Sequence, residues 1–226
     1  MPSVPTIRVL LVDDDPLART GLVSLLGAVA DIEVCGEVSD GDEVVSAARE
    51  LKPGVVLMDL RMPRLNGVEA TRLVRALPSP PHVIALTTWD VDDAVVRSLE
   101  AGADGFLLKT AAPLEIVAAI RAVMDGDAVL SPRSTRRLLD HVGRRDDAAR
   151  RAAVTLLGRL TARERDVAIA TGHGLTNVEI GTRLYMSAAT VKQHLGAVQH
   201  KLGVRNRVGV AVLAERAGLL GEPGVR

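Results

Sequence analysis

The chain has 226 residues, 47% of them hydrophobic, with 28 Lys and Arg matched by 28 Asp and Glu. A mean hydropathy of +0.20 fits a soluble globular chain with a substantial core. Cys35 is the single cysteine, which excludes an internal disulfide or a thiolate metal cluster and favours a reducing cytoplasm. No charged leader precedes an apolar stretch at Met1-Pro2-Ser3-Val4-Pro5, and no apolar run reaches spanning length, so neither secretion nor a membrane partner is expected.

The zero net charge hides a polarity. Residues 1–125 hold 11 basic against 19 acidic side chains, residues 126–160 hold 8 against 4, and residues 161–226 hold 9 against 5. An acidic first half joined to a basic second half suggests two domains with different partners, nucleic acid suiting only the second. With Trp89, Phe106 and Tyr185 the only aromatics, base-stacking platforms for single strands are not expected. Duplex DNA read by a helix is the better expectation.

In chain order, apolar β-branched runs predict strands at Ile7–Val12, Ile32–Glu37, Val55–Met58, Val83–Thr87 and Gly105–Leu108. Helix-period segments alternate with them at Pro16–Val29, Gly41–Glu50, Asn66–Ala76, Asp92–Ala101 and Pro113–Met124. Five such repeats predict an α/β, doubly wound, five-stranded parallel sheet, whose ligands sit beyond the carboxyl ends of the strands. Asp13, Asp14, Asp59, Thr87 and Lys109 all fall there. Ser131–Val142 reads as a short helix followed by a flexible Arg- and Asp-rich tether. From Leu160 onward the pattern is helical. Thr161 and Glu164 form a capping box, Thr176–Tyr185 is a second helix, Ser187 caps a third that Gly203 stops, and Arg207–Ala217 is a fourth. Met186-Ser187 between the middle pair makes a helix-turn-helix. The division is therefore 1–125, a linker over 126–158, and 159–226.

Adjacent carboxylates repel, so Asp13-Asp14-Asp15 after one buried strand and Asp59 after another are tolerable where a divalent cation neutralises them. Asp15-Pro16 alone would equally serve as a helix cap and first turn. Taken in order, Asp13-Asp14, Asp59 with Met62-Pro63 and Gly67 behind it, Thr87 and Lys109 resemble the receiver domain of two-component response regulators, a flavodoxin-like fold. The resemblance implies that Asp59 is the phosphoacceptor, that Asp14 binds Mg2+ directly and Asp13 through water, and that Arg61 offers the metal its backbone carbonyl. It implies that Thr87 and Lys109 hold the phosphoryl oxygens and that Phe106 is a rotamer switch, although a plain core aromatic explains Phe106 equally well. The resemblance also implies that Arg61 and Trp89 occupy the positions that tune acyl-phosphate lifetime.

The stretch 160–220 resembles the LuxR-type helix-turn-helix through Leu160-Thr161-Ala162-Arg163-Glu164-Arg165, Gly174-Leu175-Thr176-Asn177, Glu179-Ile180, Thr190-Val191-Lys192 and Lys201-Leu202-Gly203-Val204-Arg205. The whole chain is thus similar to the NarL/FixJ family. Capping at Ser187 puts Thr190, Lys192, Gln193 and Gly196 on the groove side, with Val191, Leu195 and Val198 inward. Lys192 and Gln193 can donate to guanine and adenine edges, while Thr190, Lys201, Arg205 and Arg207 suit phosphates. The apolar last helix is a candidate dimer surface. The implied partners are a sensor histidine kinase, promoter DNA and a second copy of the chain, and a contact with RNA polymerase is compatible with that role. Two rivals stand beside this reading: an aspartate-nucleophile phosphatase of haloacid-dehalogenase type, and a DNA-binding regulator that works without phosphorylation.

Overall fold

The computed structural model describes residues 6–88, 92–130 and 147–220. Its contacts divide these into two units, one holding the described residues to 124 with 129 and 130, the other 125–128 and 147–220.

The first unit is a parallel sheet with strand order β2-β1-β3-β4-β5-β6, formed by β1 (Ile7–Val12), β2 (Ile32–Val38), β3 (Val55–Asp59), β4 (His82–Thr87), β5 (Gly105–Leu108) and β6 (Val129–Leu130). Every residue of β3 is buried, as an unbroken Val-Val-Leu-Met run requires when helices cover both faces. The helices are α1 (Pro16–Gly27), α2 (Val44–Leu51, preceded by a 3-10 turn at Gly41–Glu43), α3 (Gly67–Val74), α4 (Asp92–Ala101) and α5 (Pro113–Asp125). A layer of Val9, Leu11, Val55, Leu57, Ile84 and Leu86 packs on Ile116, Ile120 and Val123 of α5. The expected count of five strands is corrected to six. β6 pairs only Val129 with Gly105 and Leu130 with Phe106, and a two-residue strand carries no alternation to read.

In the second unit, α6 (Asp147–Leu157), α7 (Ala162–Gly172), α8 (Asn177–Leu184), α9 (Ala188–Leu202) and α10 (Arg207–Arg216) enclose Val167, Ile180, Val191, Leu195, Val198 and Val210. Thr161 and Glu164 make the expected capping box, and Thr176 with Glu179 makes a second one that the sequence reading did not identify. Ser187 caps α9, and Gly203 ends it in the left-handed region at φ 68°. The tether expected to run to about residue 158 instead supplies α6 from Asp147, whose Ala153 and Leu157 are core residues. Its Ala- and Arg-rich composition resembles a linker, but the apolar side chains recur at helical spacing. The helix expected over 131–142 lies outside the described residues.

Candidate functional sites

Strand register assembles the first site. Val12 pairs with Met58, so the next residues, Asp13 and Asp59, stand level at the carboxyl edge. Asp59 pairs with Leu86 and Thr87 with Leu108, which brings Thr87 and then Lys109 to the same edge. Asp13, Asp59 and Thr87 are buried, whereas Asp14 is exposed. Carboxylate oxygens of Asp13, Asp14 and Asp59 lie within 4.8 Å of one another. Lys109 Nζ is 2.6 Å from Asp13 and 3.0 Å from Asp59.

Burial pushes the Asp59 carboxyl above its usual range, against the pull of the Lys109 ammonium and the Arg61 N–H, while the Asp13 charge adds to the rise. Burial disfavours the Lys109 charge too, yet hydrogen bonds to Asp13 and Asp59 outweigh it and lift that amine above its usual value. Among the described residues, three carboxylates face one ammonium, an excess of two negative charges. A set of hard oxygen donors with that excess charge suits a dication such as Mg2+. Asp15 spends its side chain capping α1 through Leu17 N–H, so two of the three consecutive acids, Asp13 and Asp14, join Asp59 in the acidic cluster. Phe106 is 1% exposed on β5, level with Ala85 and Leu130. The Arg61 guanidinium donates to Thr88 Oγ1 at 2.8 Å. Trp89 lies outside the described residues.

In the second unit, Lys192, Gln193 and Gly196 are exposed on α9, opposite buried Val191, Leu195 and Val198, and Thr190 is half-buried with its hydroxyl 2.8 Å from Ser187 Oγ. Arg205 is exposed just beyond the helix. Two expected phosphate contacts are differently employed. Lys201 Nζ donates to Glu164 at 2.7 Å, and that bond together with the Thr161 backbone N–H holds the Glu164 carboxyl down to about 2. Arg207 is corrected from a surface contact to a buried one: its guanidinium donates to the carbonyls of Leu175 and Gly126 and pairs with Asp127. Its position after the Asn206 cap looks exposed in sequence, because the partners lie far from it along the chain. The last helix is also more inward than expected, since Val208, Val210, Ala214 and Ala217 are buried, while the apolar Ala211, Val212 and Leu213 are half-exposed.

Comparison with known proteins decides the family. Residues 9–121 match the response regulator receiver domain and residues 158–214 the bacterial regulatory proteins of the luxR family. The transcriptional regulatory protein LiaR of Bacillus subtilis is 41% identical over 214 residues, 95% of this chain and 99% of that protein. The chain is a two-component response regulator. The response regulator protein VraR of Staphylococcus aureus is 34% identical over 95% of this regulator and 99% of its own length. The crystal structure of ChrA, a response regulator in a heme-sensing two-component system, is 34% identical with TM-score 0.51, covering 95% of this chain and 98% of its own. Kinship to named transcriptional regulators, with a receiver and a LuxR-type DNA-binding domain in one chain, makes this regulator a non-enzyme and removes the phosphatase reading.

The sequence reading of the regulator missed two side chains near the acids. Arg19 donates to the Asp13 carbonyl and pairs with Glu37. Asp40 is fully buried and accepts three backbone N–H groups. The only signal for Asp40 was its place before a glycine at a helix start, which reads as an ordinary cap.

Proposed function

We propose that this response regulator accepts a phosphoryl group on Asp59 from a partner sensor histidine kinase, in a Mg2+-dependent reaction, and that the modification controls binding of its LuxR-type domain to double-stranded promoter DNA. The observation that carries the reading is the Lys109 ammonium held between Asp13 and Asp59 at hydrogen-bond distance from both. An Asp59 oxygen attacks phosphorus, the phosphorus–nitrogen bond of the donor phosphohistidine breaks, and the imidazole leaves with that electron pair and takes up a proton. The charge of Lys109 shifts onto the phosphoryl oxygens as they approach, and the Thr87 hydroxyl donates to one of them. Asp13, Asp14, Asp59 and the Arg61 carbonyl would hold Mg2+, which when bound withdraws electron density from the phosphoryl group. Phe106 exchanges rotamer as Thr87 turns toward the phosphoryl group.

On DNA, Lys192 and Gln193 of α9 address base edges and Thr190 and Arg205 the phosphates, with the small face at Gly196 allowing close approach. The regulator acts as a dimer in the cytoplasm, since a single helix-turn-helix covers too few base pairs for useful specificity. The domains follow the boundaries 1–125 and 159–226, with α6 completing the second core. Acetyl phosphate with MgCl2 tests the reading. Affinity for promoter DNA rises about 5–150-fold in the parent, the usual range of allosteric coupling, and stays constant in Asp59→Asn. Equal affinity with and without phosphorylation would favour the phosphorylation-independent regulator.

A further inference from the structure

The loop from Leu60 to Asn66, which links the strand carrying Asp59 to α3, has few bonds of its own. Its ends are tied by Leu60 N–H to Leu86 O at 3.2 Å and Gly67 N–H to Leu60 O at 3.1 Å. Between them, the N–H groups of Arg64 and Leu65 both donate to one side chain, the Asp40 carboxylate, at 3.0 and 2.9 Å. Asp40 also accepts its neighbour Gly41 N–H at 2.8 Å and is 1% exposed. A buried carboxylate is costly unless its lone pairs are satisfied, and three donors from two loops satisfy this one. The approach is close, because a Cβ on Gly41 would lie 2.2 Å from the Leu65 carbonyl. Asp40 follows β2, and the end of β2 binds the acidic loop in turn through Asp13 N–H to Val38 O at 3.2 Å. The exposed Arg64 guanidinium reinforces this clamp, with Nε 3.5 Å from the same Asp40 carboxylate and its other end paired with Asp42 and Glu43.

We infer that Asp40 is a positioning residue for the cation site: by pinning Arg64 and Leu65 to the end of β2, its carboxylate fixes the loop bearing Arg61 relative to Asp13 and Asp59. It touches neither metal nor phosphoryl group and acts through the backbone it holds. The inference rests on the Mg2+-dependent reading above. Asp40→Asn keeps the shape but turns an amide N–H toward the Arg64 N–H. Outer groups that orient metal ligands typically change affinity by about 10–100-fold when replaced.

The experiment is a calorimetric titration of the full chain with Mg2+ alone, alongside the half-life of the acyl phosphate and a thermal melt. The Mg2+ dissociation constant rises about tenfold or more in Asp40→Asn. Gly41→Ala, which presses on the Leu65 carbonyl from the same side, moves it in the same direction even if the first variant does not fold. A merely structural role lowers the melting temperature while the folded protein keeps the parental constant and half-life. That result in Asp40→Asn or Gly41→Ala overturns the inference and leaves the functional reading standing. A parent that binds no Mg2+ removes both.

Discussion

Replacing Gly67 by alanine puts the geometry behind Asp59 to a test whose sign is set in advance. Gly67 opens α3 against the strand that ends in the acid, and a Cβ there would sit 1.9 Å from the Asp59 carbonyl oxygen and 2.8 Å from its carbon. Real Cβ contacts are essentially never below 3.0 Å, so the Asp59 backbone or the start of α3 must retreat by at least 1.1 Å. Both atoms in the clash belong to backbone, and no side chain can swing away. A misplacement of about 1 Å costs on the order of 100-fold where reacting groups must be aligned, and overpacking costs about 1–3 kcal/mol. Helix propensity works the other way, favouring alanine by about 1 kcal/mol. Timed phosphorylation by acetyl phosphate, followed by phosphate-affinity electrophoresis with a parallel thermal melt, reads both effects. The variant is expected to phosphorylate about 100-fold more slowly and to melt several degrees lower. A variant more stable than its parent and phosphorylated at the parental rate would refute the close approach.

Other expectations follow from the same geometry. Lys109→Ala leaves Asp13 and Asp59 facing each other without their shared ammonium and slows phosphorylation by about 100–1,000-fold, the usual cost of losing one charge-stabilising group; an unchanged rate would remove Lys109 from the mechanism. Glu164→Gln weakens the capping box and the bond to Lys201, costing about 1–2 kcal/mol at neutral pH. Because the Glu164 carboxyl is depressed from 4.5 to about 2, its stabilisation is complete above pH 4.5 and is lost as pH falls toward 2. Melts of parent and variant therefore converge in acid, and a constant difference across that window would contradict the assignment. Arg207→Ala is expected to destabilise the second unit by about 1–3 kcal/mol, because the Leu175 and Gly126 carbonyls lose their donor, without changing the salt dependence of DNA binding in the fraction that stays folded. Arg205→Ala is expected to make the salt slope of DNA binding shallower by about one.

Much of the strand-edge site was legible because register converts sequence position into spatial position. Once Val9–Val12 and Val55–Met58 are read as neighbouring buried strands, the residues after them must meet at one edge. The helix-turn-helix was equally readable, since Thr161, Ser187 and Gly203 are capping residues whose chemistry is local. What escaped was long-range pairing. Arg207 reads as a surface cation until its contact with the Leu175 carbonyl is seen, and Asp40 reads as a cap until Arg64 and Leu65 arrive from another loop. Residue type identifies a donor or an acceptor but not a partner tens of residues away. The strand Val129–Leu130 was hidden for a different reason, being too short for any period to register.

The proposed mechanism requires Asp59, and no other carboxylate of the cluster, to carry the phosphoryl group. Borohydride reduction of an aspartyl phosphate yields homoserine, so peptide mass spectrometry after treatment with acetyl phosphate and MgCl2 locates the acceptor directly. Homoserine is expected at position 59, and only when magnesium is present. Its appearance at position 13 or 14 instead, or its absence everywhere despite a folded protein, would contradict the account.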